Sequence, residues 1–441
     1  MLRRGTLALF KRGNQLGQMG SRITVLDLGT HKFTCLIAEW VETEVVDGLP
    51  LGALLKVVGF GHQRARGMKA GVLIDLDAAE MAVRDVVAQA ENQAGEQVQD
   101  LVVAVSCGRL QSLNFSTSVG LSGGAVKQSH IDEVMVAGRD YAAEDGRAVL
   151  HLMPLGFALD EVTGVVDPLN LVGDALDLDL HAVTVDVAPL KNIALLLDRC
   201  HLQTRRMLAS SFASALAVAD VSEIELGTTV IDIGGGTTKL ALFANGYFVH
   251  SDALAIGGDL ITYEIAQALN CPLQEAERLK VLYGSVFGGQ GKVDGAEKRP
   301  LTYSIVGEGQ VCEGEIAPEQ LADIIRPRVQ HILSLVKERL EGSGFGPHSG
   351  QRLILTGGCS QLTGIAEFAS EIFGKPVRVG GPPALEGLPM EMLSPAFSTS
   401  IGLFEGVLAY DLADESLFKA ARKVQQGGYW GRMGAWLKES F

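Results

Sequence analysis

The stretch Thr228–Phe243, TTVIDIGGGTTKLALF, decides the fold. The run TTVIDI reads as a buried strand. Gly234, Gly235 and Gly236 stop it, and a second apolar run, KLALF, begins almost at once. In P-loops and dinucleotide folds a glycine-rich turn leads into a helix. Here it leads into a strand, so the stretch predicts a β-hairpin with a tip open enough for a phosphate. Glycine permits unusual backbone angles and lets amide N–H groups meet an anion with no Cβ in the way. Asp232 lies two residues before the first glycine, and Thr237 and Thr238 supply hydroxyls after the last.

A tight hairpin needs glycine in any case, so one copy is weak evidence. A second copy stands earlier, at Ile23–Trp40, ITVLDLGTHKFTCLIAEW. Asp27 matches Asp232 and Gly29 matches Gly234, with Thr30 and Lys32 following. Two copies far apart in sequence, each with an acid at the same offset, predict two related lobes facing one cleft. Carboxylates facing a polyphosphate need a cation. Asp27 and Asp232 are therefore expected to hold Mg²⁺ through its waters, since that ion dehydrates reluctantly. A third element, LILTGGCSQLTG at 353–364, reads as a strand, then Gly357–Gly358, then a helix, and suits the nucleoside. AERLK at 276–280 places Glu277 and Lys280 near a helix end, fit for ribose or base contacts and equally for a solvated face. Gly257, Gly258 and Ser360 complete the expected nucleotide-binding set.

The 441 residues exceed one ordinary core and imply two or more domains. A hydrophobic content of 47% and mean hydropathy of +0.21 describe a folded globular chain. Net charge of −15 argues against nucleic acid as a partner by a general electrostatic route. The 6 cysteines form no CxxC pair and read as reduced core thiols of a cytoplasmic protein. No apolar run approaches the roughly 18–20 residues that span a bilayer. The basic start has only TLALF as an apolar core, too short for a secretory signal, and reads as a flexible leader.

Asp77–Gly95 is expected to be a helix with Ala79, Ala82, Val83, Val86, Val87 and Ala90 on one face, capped by Asp75 or Asp77. LVVAVS, Leu113–Leu121, VLHLMPLGFALD and DLDLHAVTVDVA read as strands, and Ser129–Ala143, Pro189–Arg199, Pro318–Leu340, Leu362–Phe373 and Thr399–Tyr410 as helices. Met207–Leu208 is a short apolar stretch, and Gly284–Gly314 is glycine-rich and weakly patterned. In the last residues Trp430, Met433, Leu437 and Phe441 share one helical face, with Trp436 at its edge and Arg432 and Lys438 beside it. Tryptophan at an apolar–polar border suits a membrane interface, so this is a candidate membrane-binding helix.

Together, DLGTHK, DIGGGTT and TGGCSQLTG resemble the phosphate and adenosine motifs of the actin, heat-shock chaperone and sugar-kinase superfold. ASSFASALAV and TSIGLFEGVLAY resemble its two connecting helices. Within it, RARGMKAGVLID, the segment EVMVAGRDYAAEDGRAVLHLMPLGFALD and the tryptophan-bearing tail resemble the bacterial cell-division family FtsA, over nearly the whole chain from Arg22. The resemblance implies a two-lobed α/β ATPase fold with an inserted subdomain and a C-terminal amphipathic helix. It places a leader at 1–21, the first lobe at 22–100 and 185–226, and the insertion at 101–184. The second lobe would be 227–257 and 341–410, a smaller FtsZ-facing subdomain 258–340, a linker 411–428 and the membrane helix 429–441.

It further implies ATP with Mg²⁺ and self-assembly into filaments on the cytoplasmic face of the cell membrane at the division site. There the chain would tether FtsZ and recruit later division proteins. The chaperones carry a glutamate where this chain has Ser210. A hydroxyl is a poor general base, so hydrolysis is expected to be slow at most. Two alternatives share the superfold: a small-molecule kinase of the sugar or acetate type, and a pilus-assembly ATPase-like adaptor.

Overall fold

The computed structural model describes residues 21–42, 53–106, 109–143, 146–288, 300–306, 311–345 and 350–416. The chain opens with β1 (Arg22–Leu28), β2 (Lys32–Glu42) and β3 (Ala53–Arg64), then the two-residue pair β4 (Met68–Lys69) and β5 (Val72–Leu73). Helix α1 (Leu76–Ala94) follows, then β6 (Asp100–Val105). Next come β7 (Gln111–Gly120), α2 (Gln128–Ala142), β8 (Arg147–Leu159), β9 (Val162–Val165) and β10 (Ala175–Asp186). The chain continues through α3 (Val187–Arg199), β11 (Gln203–Ala209), α4 (Ser210–Val218) and α5 (Val221–Leu226). The hairpin strands are β12 (Thr228–Ile233) and β13 (Thr238–Ala244), followed by β14 (Tyr247–Leu254), α6 (Gly258–Leu269) and α7 (Leu273–Tyr283). The last elements are β15 (Leu301–Val306), β16 (Val311–Ile316), α8 (Pro318–Gly342), β17 (Leu353–Thr356), α9 (Ile365–Phe373), β18 (Val377–Val379) and α10 (Ser398–Ser416).

Two five-stranded sheets have the same plan. The first runs β3-β2-β1-β6-β11 and the second β14-β13-β12-β17-β18. In each, three antiparallel strands are joined to two parallel ones through the strand that carries the aspartate. The internal repeat seen in TVLDLGT and TVIDIGGGT is thus a repeat of whole sheets. A third sheet, β7-β10-β8-β9, is the inserted unit.

β12 and β13 are buried along their whole length, as strands covered on both faces must be. The six small and β-branched residues expected on one face of α1 are the six it buries. Asp75 caps that helix by accepting a hydrogen bond from the Ala78 N–H at 3.0 Å, and Gly95 ends it in the left-handed region. Between the lobes lie α4 and α10. Phe212, Ala215 and Val218 of α4 join the core of the second sheet. Ile401, Leu403, Phe404 and Val407 of α10 join Ile23, Val25 and Leu36 of the first.

Several expectations change. The stretch around Met207–Leu208 is an edge strand, β11. The weakly patterned region after Gly284 contributes a two-stranded ribbon, β15–β16. β6 lies inside the first sheet, between β1 and β11, so residues 101–105, expected in the insertion, pack in the first lobe's core. Residues 392–407, expected in the second lobe, pack on the first sheet. The leader up to residue 20, the linker past Ser416, and the tail residues Trp430, Arg432, Met433, Trp436, Leu437, Lys438 and Phe441 lie outside the described residues. Among the described residues no helix is long and apolar enough to cross a membrane.

Candidate nucleotide site

Each hairpin is closed by its own backbone: Gly29 N–H donates to Lys32 O at 3.0 Å, and Gly234 N–H to Thr237 O at 2.8 Å. The two tips touch across the cleft. A Cβ at Gly235 would lie 2.6 Å from the His31 ring, and one at Gly236 would lie 2.7 Å from Thr30 Oγ1. None of Gly234, Gly235 and Gly236 has a positive φ. Their requirement for glycine is therefore close approach, not unusual backbone angles. The start of α6 completes the tip: Gly258 N–H donates to Gly234 O at 2.9 Å and Asp259 N–H to Gly235 O at 2.8 Å. His31 reaches over from the first lobe to form an ion pair with Asp259. Thr30 Oγ1 accepts from Gly71 N–H at 3.1 Å, which ties the loop before α1 to the same place. Thr237 is buried against that loop, and Thr238 Oγ1 donates to Ile256 O at 2.8 Å, anchoring the approach to Gly257.

Asp27 and Asp232 are both buried, at 8% and 4% exposure. Adjacent residues in the first turn of α10 reach one acid each: Thr399 Oγ1 donates to Asp232 Oδ2 and Ser400 Oγ to Asp27 Oδ2, both at 3.1 Å. Lys239 Nζ sits 2.9 Å from Asp232 Oδ2. Burial pushes the Asp27 carboxyl above its ordinary value, while Lys239 and Lys32 pull it back and Asp232 adds to the rise. The two acids therefore feel each other, as convergence on one cleft requires. Lys32 donates to Ala396 O at 2.7 Å and lies 3.1 Å from the centroid of the Phe397 ring. Burial lowers its ammonium to about 8.

Lys239, Thr399 and Ser400 are site residues that sequence reasoning missed. Lys239 is Asp232's cross-strand partner, which hairpin symmetry about the glycines makes legible. The fit to magnesium is poor. Asp232, expected to face the ion, already has an ammonium and a hydroxyl on the same oxygen.

The nucleoside-side residues also gather. Gly357 has φ +85°, and a Cβ there would lie 2.3 Å from Asp232 Oδ1. Ser360 Oγ donates to Gly357 O at 2.7 Å, so this hydroxyl closes its own turn. Gly358 is open, its nearest neighbour being Ala396 Cβ at 3.7 Å from an added Cβ. Lys280 is no solvated-face residue: its buried ammonium meets Glu277 at 2.7 Å, Thr262 Oγ1 at 2.8 Å and Gly258 O at 3.2 Å. Ser210 accepts a hydrogen bond from Ser106 Oγ at 2.7 Å, a hydroxyl partner that supplies no base.

Two sheets of one plan, each presenting an acid-bearing hairpin to a common cleft spanned by α10, define an actin-like ATPase fold. Solved structures agree. The type IV pilus biogenesis complex PilM–PilN superposes with a TM-score of 0.59 at 17% identity, covering 87% of this chain and 98% of that one. MreB5 of Spiroplasma citri bound to ADP superposes with a TM-score of 0.51 at 15% identity, covering 90% and 98%. Among curated proteins, the cell division protein FtsA of Agrobacterium fabrum is 39% identical over 434 residues, 95% of each chain. That of Neisseria meningitidis serogroup B is 31% identical, covering 95% of this chain and 98% of the relative. That of Escherichia coli K12 is 29% identical, covering 94% and 97%. The family of cell division protein FtsA matches residues 229–402, and the SHS2 domain inserted in FtsA matches 107–184. The chain belongs to the FtsA family and is an actin-like cell division protein.

Proposed function

We propose that this chain binds ATP between its two hairpins, assembles head to tail into a filament on the cytoplasmic face of the cell membrane at the division site, tethers FtsZ there and recruits later division proteins. The observation that carries the reading is the meeting of the two hairpin tips, with both aspartates held by neighbouring hydroxyls of one helix. A ligand between the tips would set the angle of the lobes, a hinge-type coupling. The phosphates would lie against Gly29, Thr30 and Lys32 on one side and Gly234 to Thr237 on the other. The nucleoside would lie toward Gly258, Glu277, Lys280 and Gly357–Gly358. With Ser210 paired to the hydroxyl of Ser106, which is no base, the nucleotide acts mainly as a conformational ligand.

Membrane attachment follows from the tail's sequence. Trp430, Met433, Trp436, Leu437 and Phe441, partly buried in lipid, give on the order of 5–10 kcal/mol gross. Ordering each residue of the tail costs roughly 1–2 kcal/mol. One tail is therefore marginal and reversible, while a filament presenting many binds well through effective concentration. The test is co-sedimentation with anionic vesicles, with and without ATP, comparing the full chain with one ending at Gly428. ATP-promoted binding that disappears on truncation is the expected result. Binding that ignores both ATP and the tail would sink the tether reading.

A further inference from the structure

The buried acid of the second hairpin is already neutralised. Asp232 and Lys239 face each other across β12 and β13, so their side chains leave the same face of the sheet. The ammonium lies 2.9 Å from Oδ2, and the two residues are 4% and 8% exposed. Thr399 Oγ1 occupies the same oxygen at 3.1 Å. Behind Oδ1 stands the Gly357 backbone, where even a methyl group would come to 2.3 Å. A hydrated magnesium ion keeps several waters at near-octahedral positions about 2.0–2.1 Å out and needs room around its carboxylates. On Asp232 that room is filled from two sides. Admitting the ion would also strand an ammonium in a buried position, which is strongly unfavourable. Lys32, the other ammonium that Asp27 and Asp232 feel, brings the set to two carboxylates and two ammoniums. As a set, it carries no net negative charge for a metal to offset.

We infer that Lys239 is a built-in counter-ion standing where magnesium would neutralise Asp232, so that the site takes the nucleotide's phosphates with little dependence on Mg²⁺. The inference rests on the nucleotide reading above. Chemically, the second hairpin presents its phosphates with a fixed cation–carboxylate pair instead of a bare acid.

The experiment is a titration of the full chain with a fluorescent methylanthraniloyl ATP, once in excess Mg²⁺ and once in EDTA. The wild-type dissociation constants should agree within about twofold. Lys239→Asp, which adds a third carboxylate and removes the ammonium, should bind about tenfold more tightly with Mg²⁺ than without. Lys239→Met, close in volume, should weaken binding in EDTA and recover part of it in Mg²⁺. Circular dichroism checks that each variant folds, and if neither does, the wild-type comparison decides alone. A wild-type loss of about tenfold or more in EDTA overturns the inference and leaves the nucleotide reading intact. No binding in either buffer overturns the nucleotide reading itself, and the inference with it.

Discussion

Gly235 sits where the lobes meet, and a single side chain there has a calculable consequence. A Cβ would come to 2.6 Å from His31 Cδ2, closer than real Cβ contacts ever are. The His31 ring is half exposed and at the end of a side chain, so it yields before the backbone does. Gly235→Val should therefore displace the His31 ring, put a side chain where the phosphate would lie and leave the sheets in place, since no positive φ is violated at this position. We expect the thermal midpoint to fall by less than about 3 °C. Nucleotide binding, measured by the same fluorescence titration, should be lost. Unchanged affinity would mean that the three glycines have nothing to do with phosphate. Gly357 differs in kind: its positive φ and the carboxylate behind it make any side chain there a backbone problem.

The central element is the helix pair α4–α10. Gly402 crosses α4 so closely that a Cβ would lie 1.8 Å from Ala213 O and 3.1 Å from Ala217 Cβ. These two helices cover opposite sheets, so the crossing is the joint between the lobes. Gly402→Leu should pry the helices apart and cost about 3 kcal/mol or more, read as a lowered urea midpoint. A change below about 0.5 kcal/mol would show that the crossing yields freely. Elements such as α1 and both hairpins were legible because their pattern is local: one helical face, one strand–glycine–strand phrase. The strand β11, QTRRMLA, was not, because an edge strand with two arginines shows no alternation. β15 and β16 were missed for a different reason: Leu301, Tyr303 and Ile305 do alternate with Thr302 and Ser304, but the two strands are six residues each and border a glycine-rich region. The aspartates could be read from the repeat, but their hydroxyl partners could not. Thr399 is 167 positions from Asp232 and Ser400 is 373 from Asp27, separations that no local pattern spans.

At the scale of the molecule, the described residues join the lobes at the α4–α10 crossing and at the hairpin tips, and both places hold groups that titrate near neutral pH. The α4–α10 crossing buries mainly apolar side chains, but α10 also carries Glu405, whose carboxyl burial pushes up to about 7. The His31–Asp259 pair runs from hairpin tip to the first turn of α6. The hydrogen bond to Asp259 raises the His31 imidazole above its ordinary 6.5; burial opposes the rise, while the Asp259 and Glu277 charges support it and Lys280 opposes it. A raised value in the joined state means that the proton favours joining. The contribution is fully present below the ordinary imidazole value and is lost as pH rises through the raised one. The lobes should therefore be held together at pH 6 and should loosen toward pH 9, with the sheets themselves unchanged. Small-angle scattering of the nucleotide-free chain should show a larger radius of gyration at the higher pH. His31→Ala should scatter with a larger radius than the parent at pH 6 and change less than the parent between pH 6 and pH 9; the change that remains belongs to Lys32 and Glu405, which also titrate in this range. Asp259→Asn should behave likewise, because it removes the charge that raises His31. If the parent and both variants scatter alike at both pH values, the helix crossing alone sets the lobe angle, and the ion pair between the tips follows it without steering it.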